Sequence, residues 1–551
     1  MNYPEIPLAQ SILQLFKAKE IKHIIISPGS RNAPLTIGFT NDSFFTCYSI
    51  VDERCAAFFA LGIAQQTLQP AAVLCTSGSA LLNYYPAVTE AFYSQIPLIV
   101  VSADRPTSKI DIGDGQTIRQ RNVFENHSLF NANLSDEASV ANDELIQNAI
   151  AAAKNKKGPV HINVPFEEPL YNLIHAPTYQ ATVIDIPQAV VDSSDFKKVF
   201  STIENANKIV VLIGAQNPNA ISKEHIDYLA NLPNVLLLTE SNSNVHHARV
   251  VANIDTLITT FSEEQIQDFQ PDVLLTFGGM IVSKRIKALF RKHPPAFHWH
   301  IDELRAYDTF GVLTDHLVIA PNDFIDEMKQ QISAKSSSYA DSFLQTMQRR
   351  REKHNEYVAS IPFSDLKSFG IIWNHLPQNI QLQISNSAVI RYAQLFETHQ
   401  SIDVYCNRGT SGIDGSTSTA IGAAVATQQP VVFLTGDISF FYDSNALWNN
   451  YIPKNFKIII INNSGGGIFR ILPGHQENNT FNTFFETEHH LTAEHLAKMY
   501  QFDYLTAKNE EELNMALKLL FSNDSHPQIL EIFTPSKINR DLLRNYFTSI
   551  S

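Results

Sequence analysis

Two short polar clusters in the last third of the chain could together hold a metal ion and a phosphate. Gly436-Asp437 ends one strongly apolar run and Asn463-Ser-Gly465-Gly-Gly ends the next, with Asp437 and Asn463 26 residues apart. A carboxylate, an amide oxygen and a glycine carbonyl are hard donors that suit Mg²⁺. The glycines let the backbone approach a diphosphate, and a helix after Gly436 would offer it free N–H groups. One cluster alone predicts only a turn, but the pair after two matching strands favours a metal site.

A third polar segment, Arg408-Gly-Thr-Ser-Gly-Ile413-Asp-Gly-Ser, also follows a predicted strand. Loops rich in glycine and serine can present several backbone amides to one anion. We interpret this segment as a second candidate phosphate cradle.

An acidic residue opens an otherwise apolar helix in the first third of the chain, in Val51-Asp-Glu53-Arg-Cys. The simple interpretation is helix-start chemistry, with Asp52 as N-cap and Glu53 complementing the helix dipole. However, residues 55–62 are apolar on nearly every face, which predicts a buried helix. A carboxylate at its mouth would lie in a low dielectric, where carboxyl groups become useful proton partners.

Short apolar runs alternate with amphipathic stretches along the whole chain. This alternation predicts an α/β fold with mainly parallel sheets, whose strands and helices could position these residues. The pattern predicts three doubly wound domains, at 1–180, 185–335 and 360–551, with a linker at 165–187. A charged stretch at 336–360 predicts a solvated linking helix. Helices are predicted at 52–66 and 80–94, and strands at 22–27, 71–76, 98–103, 159–164, 209–213, 235–238, 273–277, 298–301, 402–406, 431–434, 457–461 and 529–533.

Composition places the chain among soluble, multi-domain proteins. It has 551 residues, 44% of them hydrophobic, and a net charge of −14, which argues against a disordered chain and against a nucleic-acid or anionic-membrane surface. The four cysteines form no CxxC pair and are expected to be reduced thiols. The start of the chain shows no secretory signal and no apolar run is long enough to span a bilayer. A cytoplasmic location is expected.

The combination of an acidic helix mouth in one α/β domain with a GD…NN clamp in another resembles the thiamine diphosphate enzymes. The resemblance implies a thiamine diphosphate-binding fold in which Glu53 bonds the aminopyrimidine ring and promotes the tautomer that takes the thiazolium proton. It also implies that Asp437, Asn463 and the Gly465 carbonyl hold Mg²⁺ (or Mn²⁺) on the diphosphate. Cofactor contacts are implied for Ile413, Gly436 and Ile468. Because the cofactor usually lies between subunits in this superfamily, a homodimer is the expected minimum, and a tetramer is an open alternative.

Several further motifs resemble one branch of the superfamily, which acts in menaquinone biosynthesis. They are Ser27-Pro-Gly-Ser30-Arg31, Ser102-Ala-Asp-Arg105-Pro, Gly115-Gln116-Thr-Ile-Arg, Asn407-Arg408-Gly-Thr-Ser-Gly and Gly467-Ile-Phe469-Arg-Ile-Leu472-Pro. The metal motif here is Gly-Asp-Ile rather than the common Gly-Asp-Gly, and this branch shares that departure. The resemblance covers nearly the whole chain and is weakest in the middle domain.

That branch decarboxylates 2-oxoglutarate and adds the four-carbon carbanion to isochorismate, so the resemblance implies a transferase with several anion-binding residues. Guanidinium groups pair bidentately with carboxylates, and a dry apolar wall favours loss of CO₂. Taken alone, each arginine predicts only a surface ion pair, and the segment around Arg391 could be an ordinary helix. The substrate-binding residues implied are Ser30, Arg31, Arg105, Gln116, Lys284, Arg285, Ser387, Arg391, Arg408, Phe469 and Leu472.

Other activities remain open at the level of sequence. Another decarboxylating thiamine enzyme, of the acetohydroxyacid synthase or oxalyl-CoA type, usually keeps a flavin or ADP site in the middle domain, and Gly278-Gly279-Met280 is too short to indicate one. A non-catalytic relative would have lost Glu53 or the Asp437/Asn463 pair. A nicotinamide-dependent dehydrogenase is disfavoured because no GxGxxG opens a helix after the first strand.

Overall fold

The computed structural model describes residues 2–186, 196–471 and 477–551. These contain three six-stranded sheets, each wholly parallel, and one two-stranded antiparallel ribbon of Tyr3–Pro4 with Leu173–Ile174. The α/β class with mainly parallel sheets is therefore confirmed. No helix in these ranges is long and apolar enough to cross a membrane.

The first and third sheets share one strand order. If the six strands of each sheet are numbered along the chain, both read 2-1-3-4-6-5 across the sheet. The direction of winding therefore reverses beside the first strand, which is where open α/β sheets place ligands at their carboxyl edge. In spatial order the first sheet is Thr46–Ser49, His23–Ile26, Ala71–Cys75, Leu98–Asp104, Pro159–Pro165 and Asn131–Asn133, and the third is Asp403–Tyr405, Gln381–Ile384, Val431–Gly436, Lys457–Asn462, Gln528–Phe533 and Asp503–Ala507.

The central sheet has the different order 3-2-1-4-5-6, which is that of dinucleotide-binding folds. Its strands Ile209–Ile213, Val235–Thr239 and Val273–Phe277 are buried at every position, and the first and last of these have the bounds that the sequence predicts. In spatial order the strands of this sheet are Val250–Val251, Val235–Thr239, Ile209–Ile213, Val273–Phe277, Phe297–Ile301 and Asp315–Leu317.

Helices cover both faces of the sheets, so alternate strand residues enter different cores. In the first sheet Val73 and Val100 face one core, while Leu74 and Val101 face another. The α-helices are Pro7–Ala18, Ala33–Thr40, Glu53–Thr67, Tyr85–Ser94, Val140–Asn155, Lys197–Asn205, Lys223–Ala230, Ile254–Ile258, Glu263–Phe269, Lys284–Lys292, Pro321–Gln331, Tyr339–Ser360, Asp365–His375, Ala388–Ala393, Ser416–Ala426, Asp437–Tyr442, Ile468–Ile471, Asn479–Phe481, Glu494–Met499, Glu510–Leu520 and Asn539–Ser549.

The predicted solvated helix at 336–360 is only partly correct. Tyr339–Ser360 is a helix, but one face packs on the central and third domains through Phe343, Met347 and His354. Arg350 is also buried there and donates to the carbonyl oxygens of Thr256, at 2.8 Å, and Leu257. The charged composition concealed this packed face because the apolar positions are widely spaced along the helix.

One apolar core joins the first and third sheets, and two helices form its centre. Glu53–Thr67 packs against Ser416–Ala426 with almost no space between the backbones. A Cβ on Gly62 would lie 2.2 Å from the carbonyl oxygen of Thr419, and one on Gly422 would lie 2.1 Å from that of Phe59. Both positions therefore require glycine because any side chain would meet rigid backbone.

We expect Gly62→Ala to destabilise the fold by about 1–3 kcal/mol, the usual cost of overpacking a core. The thermal denaturation midpoint of purified protein measures this effect. Gly115→Ala is the matched control, since a Cβ there would meet nothing within 4 Å. Equal midpoints for the two variants would contradict the close contact.

Candidate functional site

A cavity of about 150 Å³ lies at the carboxyl edge of the third sheet. Strand ends and the loops that follow them supply its lining, as the sequence pattern predicts. The structure brings together eight of the predicted residues around it: Ser387, Ile413, Gly436, Asp437, Asn463, Gly465, Ile468 and Phe469. Predicted residue Leu472 lies outside the described residues.

Asp437 and Asn463 form the polar end of this cavity, and both are buried. The Asp437 carboxylate accepts hydrogen bonds from the backbone N–H of Ile438, at 2.7 Å, and of Gly465, at 3.0 Å. Asn463 donates its amide nitrogen to a carboxylate oxygen of Asp365, at 2.9 Å. Since this bond fixes the amide orientation, the other end of the amide presents its oxygen, a suitable ligand for a hard cation.

Two residues beside this pair were not predicted. Asp365 begins the helix Asp365–His375, and burial, with a smaller contribution from the negative Asp437, raises the pKa of its carboxyl to about 6. His489 lies with Nε2 3.3 Å from Asp437 Oδ2. Each is far from the GD and NN motifs in sequence, so no local spacing could have indicated them.

The donor set suits a divalent cation bound with phosphate oxygens. One carboxylate, one amide oxygen and one glycine carbonyl leave several positions of an octahedron for phosphate and water. Among the described residues no group of three or more His, Cys, Asp or Glu side chains could bind a metal ion alone. The residues therefore fit a metal held jointly by protein and diphosphate.

Glu53 lies elsewhere, at the carboxyl edge of the first sheet. Asp52 caps its helix by accepting from the Cys55 N–H at 3.2 Å, and residues 55–64 are buried, as predicted. The Glu53 carboxylate is only partly buried and accepts from the side chain of Asn83 at 3.4 Å. It does not line the cavity at the third sheet. A single chain therefore holds the predicted proton partner and the predicted metal clamp in two separate places.

Four predicted substrate residues lie, like Glu53, in segments that follow strands of the first sheet. Arg31 is buried and donates to the Phe166 carbonyl at 2.9 Å and to Glu168 Oε1 at 3.0 Å. Arg105 lies 3.8 Å from the same Glu168 oxygen and donates to the Gly115 carbonyl at 3.0 Å. The two guanidinium groups thus face one exposed carboxylate. Ser30, beside Arg31, is exposed, and Gln116 follows Gly115.

The other predicted cations surround the junction of the central and third domains. Arg408 donates to Asn386 Oδ1 at 2.7 Å, and Asn386 lines the cofactor cavity. Burial and the nearby positive charge of Arg408 lower the pKa of Arg391. No described residue accepts a hydrogen bond from the Arg391 guanidinium, and its Nε is buried without a partner. Lys284 and Arg285 are exposed in the first turn of the helix Lys284–Lys292.

The interpretation of the Arg408 loop as a phosphate cradle is wrong for the backbone amides of Gly409 and Thr410. Glu90, buried in the helix Tyr85–Ser94, accepts from the N–H groups of Gly409 and Thr410, both at 2.7 Å. This contact joins the first and third domains within one chain. Glu90 is more than 300 residues away in sequence, so the loop composition alone could not reveal that a carboxylate already holds these donors.

Comparisons with known proteins fit this geometry. Family models for the N-terminal and C-terminal TPP binding domains of thiamine pyrophosphate enzymes match residues 6–131 and 385–532. The chain is 60% identical, over the full length of both chains, to the 2-succinyl-5-enolpyruvyl-6-hydroxy-3-cyclohexene-1-carboxylate synthase of Flavobacterium psychrophilum. It is 37% identical to the synthase of the same name from Phocaeicola vulgatus, over 97% of each chain. The chain belongs to this synthase family.

Among solved structures, benzoylformate decarboxylase from Polynucleobacter necessarius has the same fold. The TM-score is 0.73 at 14% identity, covering 97% of this chain and 99% of that one. As a synthase of this family, the protein has N-terminal and C-terminal thiamine diphosphate-binding domains, whose matched residues include most strands of the first and third sheets.

We expect Arg391→Met to stabilise the ligand-free protein by about 1 kcal/mol, because it removes a half-buried charge whose donors have no acceptor. The same change should abolish any stabilisation of the wild type by succinate. Thermal denaturation with and without succinate measures both effects. Arg349→Met, on an exposed helix position, is the control. A lower midpoint for Arg391→Met than for this control would contradict the unpartnered state of Arg391.

Proposed function

We propose that this protein decarboxylates 2-oxoglutarate and adds the resulting succinyl unit to isochorismate, forming the product for which its family is named. The observation that carries the proposal is the pairing of an apolar cofactor cavity with two separate groups of cations. Bound thiamine diphosphate supplies the carbon on which the 2-oxoacid loses CO₂ and from which the acyl carbanion is transferred. Substrates that together carry several carboxylates require such cations in an otherwise acidic chain.

For the metal, we propose that Asp437, Asn463 and the Gly465 carbonyl hold Mg²⁺ or Mn²⁺ against the cofactor diphosphate. Gly436 would leave room for the diphosphate and Ile413 would support the bent cofactor between its rings. The support is the donor set itself and the hydrogen bonds that orient it. Asp365 fixes the Asn463 amide, and the Gly465 N–H fixes one Asp437 oxygen, so the remaining lone pairs are preorganised.

Glu53 is the proposed proton partner of the cofactor ring. It starts a helix whose following residues are buried, and Asn83 is the polar side chain that contacts its carboxylate. In a single chain it is partly exposed to solvent. Covering it with a second surface would place the carboxyl group in a drier environment, which favours direct proton exchange with a bound ring.

The two groups of cations suggest a division of labour. Ser30, Arg31, Arg105 and Gln116 lie with Glu53 on the first domain and would hold isochorismate. Ser387 lines the cavity of the third sheet, and Arg391 and Arg408 lie on the same domain. Together with Lys284 and Arg285 of the central domain they would hold 2-oxoglutarate. Ile468 and Phe469 form an apolar wall of that cavity and would keep water from the carbanion.

A homodimer follows from the separation of the two half-sites. If the first domain of one chain covers the third domain of another, Glu53 meets the cofactor cavity and both half-sites are complete. Large apolar side chains are exposed around Glu53: Val51 and Leu82 lie beside Glu53 and Asn83, and Tyr442, whose carbonyl accepts from Arg54 at 2.9 Å, ends the helix that begins at Asp437. Such patches are typical of association surfaces.

A cytoplasmic location is the remaining proposal. The four cysteines are free, and Cys55 and Cys75 are fully buried in the first domain. Burial raises the pKa of both thiols far above the ordinary value, so they are unreactive. Free thiols are typical of reducing compartments.

The reaction is tested by incubating the protein with thiamine diphosphate, Mg²⁺, 2-oxoglutarate and isochorismate and analysing the products by mass. We expect the named adduct together with CO₂, and no adduct when either substrate is omitted. CO₂ release without an adduct would indicate another decarboxylating thiamine enzyme and overturn the proposal.

We expect two inactive variants, Glu53→Gln and Asp437→Ala, to complement one another. Each alone should lose turnover, the first by about 10²–10⁴-fold because an amide cannot exchange the proton. Random pairing makes half of the dimers mixed, and one of the two sites in each mixed dimer is then intact. Coexpression should therefore restore about a quarter of wild-type activity. No recovery in coexpressed protein shown to contain mixed dimers would place the whole site within one chain.

We expect Arg105→Ala and Arg408→Ala to damage different half-reactions. Loss of one charge-assisted hydrogen bond costs about 1.5–3 kcal/mol, or roughly ten- to a hundredfold in affinity. Arg105→Ala should raise the KM for isochorismate and leave the burst of CO₂ from 2-oxoglutarate alone nearly intact, whereas Arg408→Ala should reduce that burst. Rapid-quench measurement of CO₂ without isochorismate separates them. Equal loss of the burst in both variants would mean one shared anion pocket.

A further inference from the structure

Glu240 is a buried carboxylate of the central domain that the proposed chemistry has not yet used. It directly follows the strand Val235–Thr239, at the carboxyl edge of the central sheet, and only 3% of its surface is exposed. A carboxylate in such a place is costly unless it is hydrogen bonded or paired with a positive charge. Its partners therefore indicate what it does.

The two oxygens of Glu240 hold the start of the helix Lys284–Lys292. One accepts from the N–H of Val282 and the other from the N–H of Ser283, both at 2.7 Å. Ser283 is the N-cap of this helix and accepts from the Ile286 N–H at 3.1 Å. Glu240 therefore anchors the two residues that immediately precede Lys284 and Arg285.

Charges from all sides of the junction face Glu240. The positive Arg408 favours its ionised form, and the negative Asp255 opposes it. Burial and the nearby arginines lower the pKa of Lys287, and the negative charge of Glu240 partly offsets that decrease. Burial raises the pKa of the Cys406 thiol, and the charge of Glu240 contributes to that increase. Burial dominates the balance and raises the pKa of Glu240 to about 7. Glu240 thus lies behind a group of cations that repel one another.

The segment that begins with Glu240 also contacts the helix carrying Arg391. The Ser241 N–H donates to Gln394 Oε1 at 3.1 Å, and the Asn253 side chain donates to the Gln394 carbonyl at 2.8 Å. Gln394 directly follows the helix Ala388–Ala393, on which Arg391 lies. One short segment thus fixes Arg391 through its helix, Arg408 through charge, and Lys284 and Arg285 through backbone hydrogen bonds.

Basic residues in the first turn of Lys284–Lys292 are unfavourable beside the positive end of the helix dipole. The helix has no acidic residue in that turn to compensate. The Glu240 carboxylate, on the N–H groups of Val282 and Ser283, and Asp255, 3.9 Å from Arg285, supply the negative charge that offsets this cost.

We propose that Glu240 is a positioning residue for the 2-oxoacid: it fixes the cations of the helix Lys284–Lys292 and Arg408 in the arrangement that binds the distal carboxylate of the substrate. The inference rests on the proposed function, since it assigns that carboxylate to 2-oxoglutarate. Glu240 touches neither substrate nor cofactor and acts through the groups that it holds.

Glu240→Gln tests the assignment with little change in shape. The amide of this variant carries no charge. Its NH₂ group, a donor, faces the N–H of Val282 or Ser283, which therefore loses its acceptor. We expect the KM for 2-oxoglutarate to rise about tenfold, as loss of a charge-assisted hydrogen bond predicts, with kcat changed far less. The KM for 2-oxovalerate, which has the same chain length without the distal carboxylate, should not change. An equal rise for both 2-oxoacids would overturn the proposal.

Binding of succinate, measured by calorimetry without cofactor, gives a second readout that requires no turnover. The wild type should bind succinate and Glu240→Gln should bind it about tenfold more weakly, with butyrate bound by neither. Equal succinate affinities, or no binding by the wild type, would refute the role of Glu240. A wild type that binds succinate but does not consume 2-oxoglutarate would refute the proposed function and leave the role of Glu240 supported.

Asp143→Asn is the matched control for a loss of structure. Asp143 is another fully buried carboxylate, which accepts from the Tyr179 hydroxyl at 2.9 Å and the Thr182 N–H at 2.8 Å in the first domain. The Asp143→Asn variant should lower the thermal denaturation midpoint without changing the KM for 2-oxoglutarate or for 2-oxovalerate. If Glu240→Gln does not fold, Ser283→Ala loosens the same helix start and should weaken succinate binding likewise. Unchanged binding in Ser283→Ala would then overturn the proposal.

Discussion

The contact between the helices Glu53–Thr67 and Ser416–Ala426 is the constraint on which the arrangement of the two cofactor-binding domains depends. Gly62 and Gly422 let two backbones approach until no side chain could be added. The apolar core around this contact is shared by the first and third sheets, so neither sheet can shift without opening it. Glu53, at the start of one of these helices, does not line the cavity at the third sheet in its own chain. Rigid packing thus keeps these two parts of the chain in fixed relative positions.

The distribution of charge explains how an acidic chain can take acidic substrates. The net charge of −14 would repel dicarboxylates at long range. Within the sites, however, each group of cations has a carboxylate beside it: Glu168 beside Arg31 and Arg105, and Glu240 and Asp255 behind the cations of the domain junction. Glu168 is exposed, whereas Glu240 is buried and Asp255 is partly buried. The Glu168 side chain can therefore move into solvent, whereas Glu240 is held by the N–H groups of Val282 and Ser283.

The sequence predicts most accurately those strands and site residues that are indicated by the residues next to them in the chain. Ile209–Ile213 and Val273–Phe277 were predicted to the residue because strands buried on both faces are continuous apolar runs. Edge strands such as Asn131–Asn133 and Val250–Val251 are too short or too polar to give that signal. In the same way, Asp437 and Asn463 were found because each ends a strong strand. Glu240 also ends a strong strand, but its role depends on Val282, 42 residues away, which only the fold brings to it. Asn386 and Asp365 were not predicted because their partners lie 21 and 98 residues away.

The central domain shows how a fold can keep its geometry while changing the use of its ligand-binding edge. Its strand order is that of dinucleotide-binding domains, and its glycines lie after the strands where such domains hold phosphates. Here those glycines serve packing: a Cβ on Gly214 would lie 2.1 Å from the carbonyl oxygen of Gly279. The carboxyl edge of the sheet instead presents Glu240 to the loop at Val282 and Ser283. An edge that elsewhere binds an anionic ligand thus carries an anion of its own, and the cations that it holds face the neighbouring domain. The central domain thus fixes the start of the helix Lys284–Lys292 through its own carboxylate, although it contains neither of the sheets in the thiamine diphosphate-binding domains.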